Sequence, residues 1–374
     1  MPTPSPAAVD RAIPSSPVYR DLMARARRLS TEFVRQNPDG TIDAEIGSHL
    51  ELALASLVEL GASDDQLQRF DADYRRRWPL EALPAPRATI SRALWWRYLG
   101  NRRLEPEFRC YFGDRIAADG AEAVLRETLP VLVEGIAASA WHALIRTMLG
   151  WIRHDDAEIA EGLGYWAATF LRLGRGPGAA ALGDRPAELL ARLRDDRAFR
   201  TMDHFGISLW RRTEAMGLEE RFAPVIDWLA VDDDTLARLA RDSLALYLDS
   251  DQICALHAVT SCQALRELSP LLAPADRHKA VRHLWQSIAA IYALMGFLTP
   301  LTNAELDARR ALPCPDWPAI AAAACASLDE HDIKLAFVCR REAAAYDEPL
   351  YRLAAARRLK LVDCVPSSRS TTLD

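Results

Sequence analysis

The sequence predicts an all-α protein, a large multi-helix bundle-like domain of one or two lobes with little or no sheet. Two observations carry this. Ala, Leu, Arg and Glu dominate while β-branched residues are sparse, a composition that favours helix over strand. Apolar residues also recur at three- and four-residue intervals along most of the chain, and no stretch alternates convincingly with the period of two that a half-buried strand needs. At 374 residues with 50% apolar content, the chain can bury a sizeable core without disulfide staples.

Taken in order, residues 1–17 are rich in Pro, Ser and Ala and read as a flexible arm. Ile46, His49, Ala53, Leu57 and Leu60 share a helical spacing that Gly61 stops. A second helix starts after Ser63-Asp64-Asp65 and runs toward Tyr74. A third covers Ile90–Tyr98 and ends at Gly100. Helices are expected over 121–132, 137–152 and 157–173, the last closed by Gly174-Arg-Gly-Pro-Gly178. That Gly/Pro cluster makes 174–186 the candidate lobe boundary. Further helices are expected over 186–193, 207–217, 222–229, 234–248, 253–268, 274–295, 317–326, 330–345 and 349–358. Residues 300–316 read as loop, and 365–374 as a flexible tail, leaving 18–364 as the folded domain.

Composition excludes several functions. With 46 Lys+Arg against 52 Asp+Glu the net charge is −6, unlike the basic footprint of a nucleic-acid binder. No apolar run approaches the roughly 20 residues of a membrane span, and the N-terminus lacks a secretory pattern, so the expectation is a cytoplasmic protein without membrane contact. Seven cysteines form no C-x-x-C and no regular spacing, and most read as small buried hydrophobes. Only three of the 46 cations are Lys: Lys279, Lys334 and Lys360.

Of eight histidines, His154 and His278 lie in charged contexts, and His204 and His283 are ambiguous. The other four fall on apolar stripes of separate expected helices: His49 with Ile46, Ala53 and Leu57; His142 with Ile145, Leu149 and Ile152; His257 with Ile253, Thr260, Ser261 and Ala264; His331 with Leu328, Leu335 and Val338. One such histidine is ordinarily a satisfied core residue. Burying four neutral imidazoles without partners costs free energy each time, whereas one shared metal would satisfy all of them. Both readings stay open from spacing alone. Lys334 sits one turn after His331 and faces nearly the same way. A buried lysine can lose its proton, and the neutral amine can add carbon dioxide to become an anionic carbamate ligand. The alternative is a side chain that reaches solvent or pairs with Asp332 or Glu330.

These residues resemble the questin oxidase-like family. Ser48-His49 followed by Leu60-Gly61-Ala62, His142-Ala-Leu-Ile-Arg146, His257-Ala-Val-Thr260 leading into Ala-Leu-Arg266, Asp329-Glu-His-Asp-Ile-Lys334, and Glu342 to Ala355 resemble that family's segments in its order. The resemblance covers roughly 45–360. It implies a helical oxygenase whose non-haem iron, Fe(II), is held by His49, His142, His257, His331 and a carboxylated Lys334. Named members oxygenate fungal anthraquinones and related aromatic polyketides of secondary metabolism, and are described as Baeyer–Villiger-type ring-opening oxidases. Fungal members often carry additional histidines where this chain has Leu52 or Ala53 and Arg146, so the chain looks like the bacterial branch. Arg146, one turn from His142, is a candidate catalytic residue that would hold an anionic substrate group or orient a ligand; the alternative is a structural ion pair.

The expected partners are therefore O2 and a small aromatic substrate, with NADPH as a further candidate cofactor. Three other readings remain: an NADPH-dependent Baeyer–Villiger-type oxidase without tightly bound metal, a metal-free helical binding protein, and a zinc hydrolase on the same ligands.

Overall fold

The computed structural model describes residues 15–363 apart from 38, 41, 201–207 and 300. Residues 1–14 of the expected arm, the expected tail, His204 and Cys364 lie outside the described residues. Among the described residues the chain forms seventeen α-helices, short 3-10 turns and one two-stranded sheet, the all-α architecture expected. The first helix, Pro17–Ala26, begins at the last residue of the expected arm. The Ser16 hydroxyl accepts from the Tyr19 amide, and Tyr19, Leu22 and Met23 are buried.

The core is built on helices that are apolar nearly all round. In Leu50–Leu60 every residue but Glu59 is buried, so this helix runs through the centre of the domain and not along its surface. It packs against Glu330–Tyr346, Asp64–Arg77 and His142–Ile152, and the last of these packs on Asp156–Thr169 and Ile253–Leu268. The helices His142–Ile152 and Asp156–Thr169 meet closely because Gly162 has no side chain: a Cβ there would lie 2.6 Å from Thr147 Oγ1. One hydrophobic cluster continues on both sides of the Gly174–Gly178 loop, joining Leu163 and Trp166 to Leu189, Leu193 and Trp285.

The elements depart from the sequence pattern in identifiable places. Glu32–Gln36 and Ile42–Gly47 form an antiparallel hairpin, with Glu32 opposite Gly47 and Phe33 opposite Ile46. Phe33 is buried while Val34 and Ile42 are exposed, so a hydrophobic alternation is barely written in the sequence. Ile46 consequently belongs to a strand, and the helix begins only at Leu50. Glu105–Asp119 was not expected as a helix; it buries Glu105, Glu107, Arg109 and Arg115, whose partners come largely from packing, as in the Arg109–Glu161 pair. Asn303–Arg310 is a further helix inside the expected loop, opened by a Thr302/Glu305 capping box. The expected helices over 90–98 and 222–229 are instead the 3-10 turns Trp95–Tyr98 and Ala223–Asp227.

Of the six described cysteines, Cys262, Cys325 and Cys339 are buried, Cys254 and Cys314 half-buried and Cys110 exposed; all six are free thiols. No helix among the described residues is long and apolar enough to cross a membrane.

Candidate metal centre

His49 is the residue before the Leu50–Leu60 helix and not a member of its apolar stripe, which corrects the alignment with Ile46. The hairpin delivers the chain to this point. The His49 amide donates to the Tyr74 hydroxyl at 2.8 Å, and its carbonyl accepts from the Ala53 amide at 2.9 Å. Backbone bonds therefore hold the residue and leave its ring free to turn inward.

His142 is placed by a break in the expected 137–152 helix. Ser139, Ala140 and Trp141 all adopt left-handed conformations, with φ of 44°, 52° and 66°. For residues with a Cβ this costs roughly 1–2 kcal/mol each. Burial of Trp141 and its indole donor to Ser287 Oγ at 2.9 Å offset part of that cost. The break makes His142 the first residue of His142–Ile152. Against its ring stands Gly47: a Cβ there would lie 2.7 Å from His142 Nδ1 and 3.2 Å from the Tyr165 hydroxyl oxygen.

His257 lies in the first half of Ile253–Leu268 and donates from Nδ1 to the Ile253 carbonyl at 2.8 Å. That bond fixes the tautomer and leaves Nε2 as an acceptor. His331 is in the first turn of Glu330–Tyr346, where the Asp329 side chain accepts from its amide.

The four rings meet. His142 Nε2 is 2.8 Å from His49 Nε2 and 2.9 Å from His257 Nε2. The His331 ring centre lies 4.7 Å from that of His49 and 5.4 Å from that of His257. Burial, and after it the charge of Lys334, holds His49, His142 and His257 well below the usual histidine range. Burial and Lys334 also lower His331, against the pull of Asp329 and Glu330. All four are neutral imidazoles at neutral pH, with one lone pair apiece.

Lys334, one turn beyond His331, is 2% exposed and its amine has no hydrogen-bond partner. Burial pushes it down to about 8, although Glu330 and Asp329 favour its charged form. Glu330, read from the sequence only as a candidate partner for Lys334, was missed as a neighbour of His49. Its carboxylate lies 3.5 Å from His49 Nδ1 and is held on its other side by Arg77. His49, Glu330 and His331 form a second group close enough to share an ion. The signal available was its position next to His331; its direction depended on Arg77 from a distant helix.

Arg146 is placed in a buried acidic cluster. Its guanidinium meets Glu158 at 2.7 Å, Glu51 at 3.4 Å and Glu161 at 3.7 Å. Glu51 also accepts from the Ser48 hydroxyl at 3.2 Å, tying Arg146 to the segment that carries His49. This geometry is that of the structural ion pair.

The donor set fits a cation. His257 presents a lone pair at Nε2. A His49 Nδ1 proton directed at Glu330 leaves the same at His49 Nε2. A proton on His142 Nε2 can serve only one of its two neighbours. Three converging lone pairs repel unless a positive ion lies among them. Imidazole nitrogens at about 2.1 Å from one ion stand about 3.0 Å apart at right angles, close to the spacings here. His331 Nε2 and Lys334 Nζ are buried without hydrogen-bond partners, and His331 belongs to the adjoining group with His49 and Glu330.

Fold and site thus define a helical protein with a buried polyhistidine centre suited to a transition metal. The chain belongs to the questin oxidase-like family, whose family model matches residues 47–339. The match contains all four histidines and Lys334; the closing segment of the resemblance, 342–355, lies beyond it. By family the protein is an oxidoreductase acting on a small molecule. No curated protein matches the chain.

Proposed function

We propose that the protein is a non-haem iron-dependent oxygenase that cleaves, or inserts oxygen into, an electron-rich aromatic or quinone substrate of the polyketide type. The observation that supports this most directly is the meeting of three Nε2 atoms at 2.8 and 2.9 Å in a buried, neutral cluster. His49, His142, His257 and His331 would hold Fe(II), and bound iron would supply O2 activation.

The four imidazoles bring no charge, so the dication needs an anion. Lys334 would provide one in this reading: its neutral amine would add CO2, forming an N–C bond at the expense of one C=O π bond and releasing one proton, which leaves an anionic oxygen donor. The unpartnered buried amine favours that chemistry. Glu330 faces His49 Nδ1 at 3.5 Å and would favour a proton there, while the Ile253 carbonyl orients His257 by a hydrogen bond to Nδ1. Arg146 is a positioning residue that fixes Glu51 and with it the Ser48-His49 segment. NADPH is the candidate reductant if the reaction inserts one oxygen atom and reduces the other to water.

Metal analysis of anaerobically purified protein tests this reading. About one iron per chain in the wild type, lost in His257→Ala, is the expected result. No metal in either protein after supplying Fe(II) would overturn it, leaving a metal-free NADPH-dependent oxidase or a binding protein to be separated by turnover with NADPH.

A further inference from the structure

The chain carries a net charge of −6, yet one cleft is lined by an excess of cations. It measures about 680 Å³ and lies between the Gly174–Gly178 loop and the start of the Pro274–Leu294 helix. Arg172, Arg175, Lys279 and Arg282 line it against two acids, Glu134 and Asp227, with His278 and His283 alongside. Both acids are already engaged. Glu134 pairs with Arg172 and, at 3.9 Å, with Lys279. Asp227 accepts from the amides of Gly178 and Ala179 and so pins the glycine loop. Gly176 can approach Asp227 only because it lacks a side chain: a Cβ would fall 2.0 Å from the carboxylate.

What remains uncompensated points to a ligand. Arg175 and Arg282 are exposed and have no carboxylate partner among the described residues. The adjoining helix has Ala273 at its N-cap and no side-chain cap, and Ala275 of its first turn lines the cleft, so its positive end adds to the attraction for an anion. Asp276 in that turn is drawn to Lys279 at 3.0 Å. Burial first of all lowers His283 to about 4; Glu134 opposes this, while Arg172, Lys279 and Arg175 add to it. The lining thus carries more cations than acids despite the acidic chain.

We infer that this cleft binds the diphosphate group of a small organic molecule. Two free guanidiniums and a lining excess of two cations match a diphosphate better than a single phosphate. The volume lies within the roughly 300–1,000 Å³ of small-ligand sites and leaves room for an organic group beside the phosphates. The inference does not depend on the metal reading. Neither Arg175 nor Arg282 belongs to the histidine cluster, and its test reads binding and not turnover.

Isothermal titration of the full chain at low ionic strength, with ADP, inorganic pyrophosphate and adenosine, decides it. ADP and pyrophosphate bind and adenosine does not; Arg175→Ala/Arg282→Ala weakens ADP at least about tenfold. The double variant Arg97→Ala/Arg103→Ala removes the same charge from exposed sites outside the cleft and leaves affinity unchanged. Equal losses in the two double variants would reduce the effect to overall charge and overturn the site. So would the absence of ADP binding to the wild type, including the case where pyrophosphate alone binds.

Discussion

His142 Nε2 lies 2.9 Å from His257 Nε2, while the other ring nitrogen of His257 is committed to the Ile253 carbonyl. The contact opposes two acceptors unless His142 carries its proton on Nε2, and then the 2.8 Å contact to His49 is left without one. A cation relieves both at once. Adding Fe(II) anaerobically at a hundredfold excess over its Kd stabilises the folded chain by about 2.7 kcal/mol, read as a rise in melting temperature. His257→Ala abolishes the rise. An equal rise in wild type and variant would place the metal elsewhere.

Lys334 has opposite effects with and without metal. In metal-free, CO2-free protein its folded value is lowered to about 8 from the ordinary 10.5, so the unfolded chain holds more protons between these limits. Stability then increases as pH rises from about 8 to 10.5, and below 8 the buried ammonium costs a few kcal/mol. Lys334→Met removes that slope and stabilises the metal-free protein at pH 7, yet lowers metal content and activity. Lys360→Ala changes neither. Urea titrations across pH and metal analysis read the two halves separately; equal activity in the Lys334 and Lys360 variants would remove the carbamate from the mechanism.

Gly47 is the gap that the His142 ring occupies. Gly47→Ala puts a methyl group 2.7 Å from His142 Nδ1, so the ring turns and iron affinity falls by about tenfold or more, within the range seen when a ligand loses its orientation. Gly113, inside the Glu105–Asp119 helix, is the contrast: a Cβ there meets nothing within 4 Å. Gly113→Ala stabilises the protein by about 0.5–1 kcal/mol with metal affinity unchanged.

Arg146 holds two buried carboxylates, Glu51 and Glu158, and the half-buried Glu161 in place. Arg146→Met leaves Glu51 without a cation and Glu158 and Glu161 with only Arg27 and Arg109, and destabilises by up to about 3–5 kcal/mol in urea denaturation at pH 7. Burial alone would raise Glu158, but Arg146 and Arg27 outweigh it and lower its value from the ordinary 4.5. The stabilisation from this carboxylate is complete well above pH 4.5 and is lost as pH falls through the lowered folded value. Removing Arg146 flattens that acid limb. A variant as stable as wild type would show that the cluster contributes nothing.

Several features were legible from residue spacing. Leu50–Leu60, Ile253–Leu268 and Glu330–Tyr346 follow from apolar periodicity and their stop signals, since a helix writes its buried face at intervals of three and four. His142, His257, His331 and Lys334 could be picked out because each lies inward on such a helix. The hairpin was not legible: only Phe33 of its first strand is buried, so no alternation marks it. Nor was the left-handed run at 139–141, which burial of Trp141 and not local preference sustains.

The sequence by itself determined that the chain is helical, that four histidines and one lysine stand apart from their surroundings, and that they match a family pattern. Only the tertiary structure decided that His49 stands just before its helix with its ring turned inward, that Glu330 turns to His49, and that Arg146 is taken up by carboxylates. The reason is physical. Periodicity reports which face of a segment is buried, whereas the meeting of side chains depends on where helices cross and on ion pairs such as Arg77–Glu330, whose partners lie 253 residues apart.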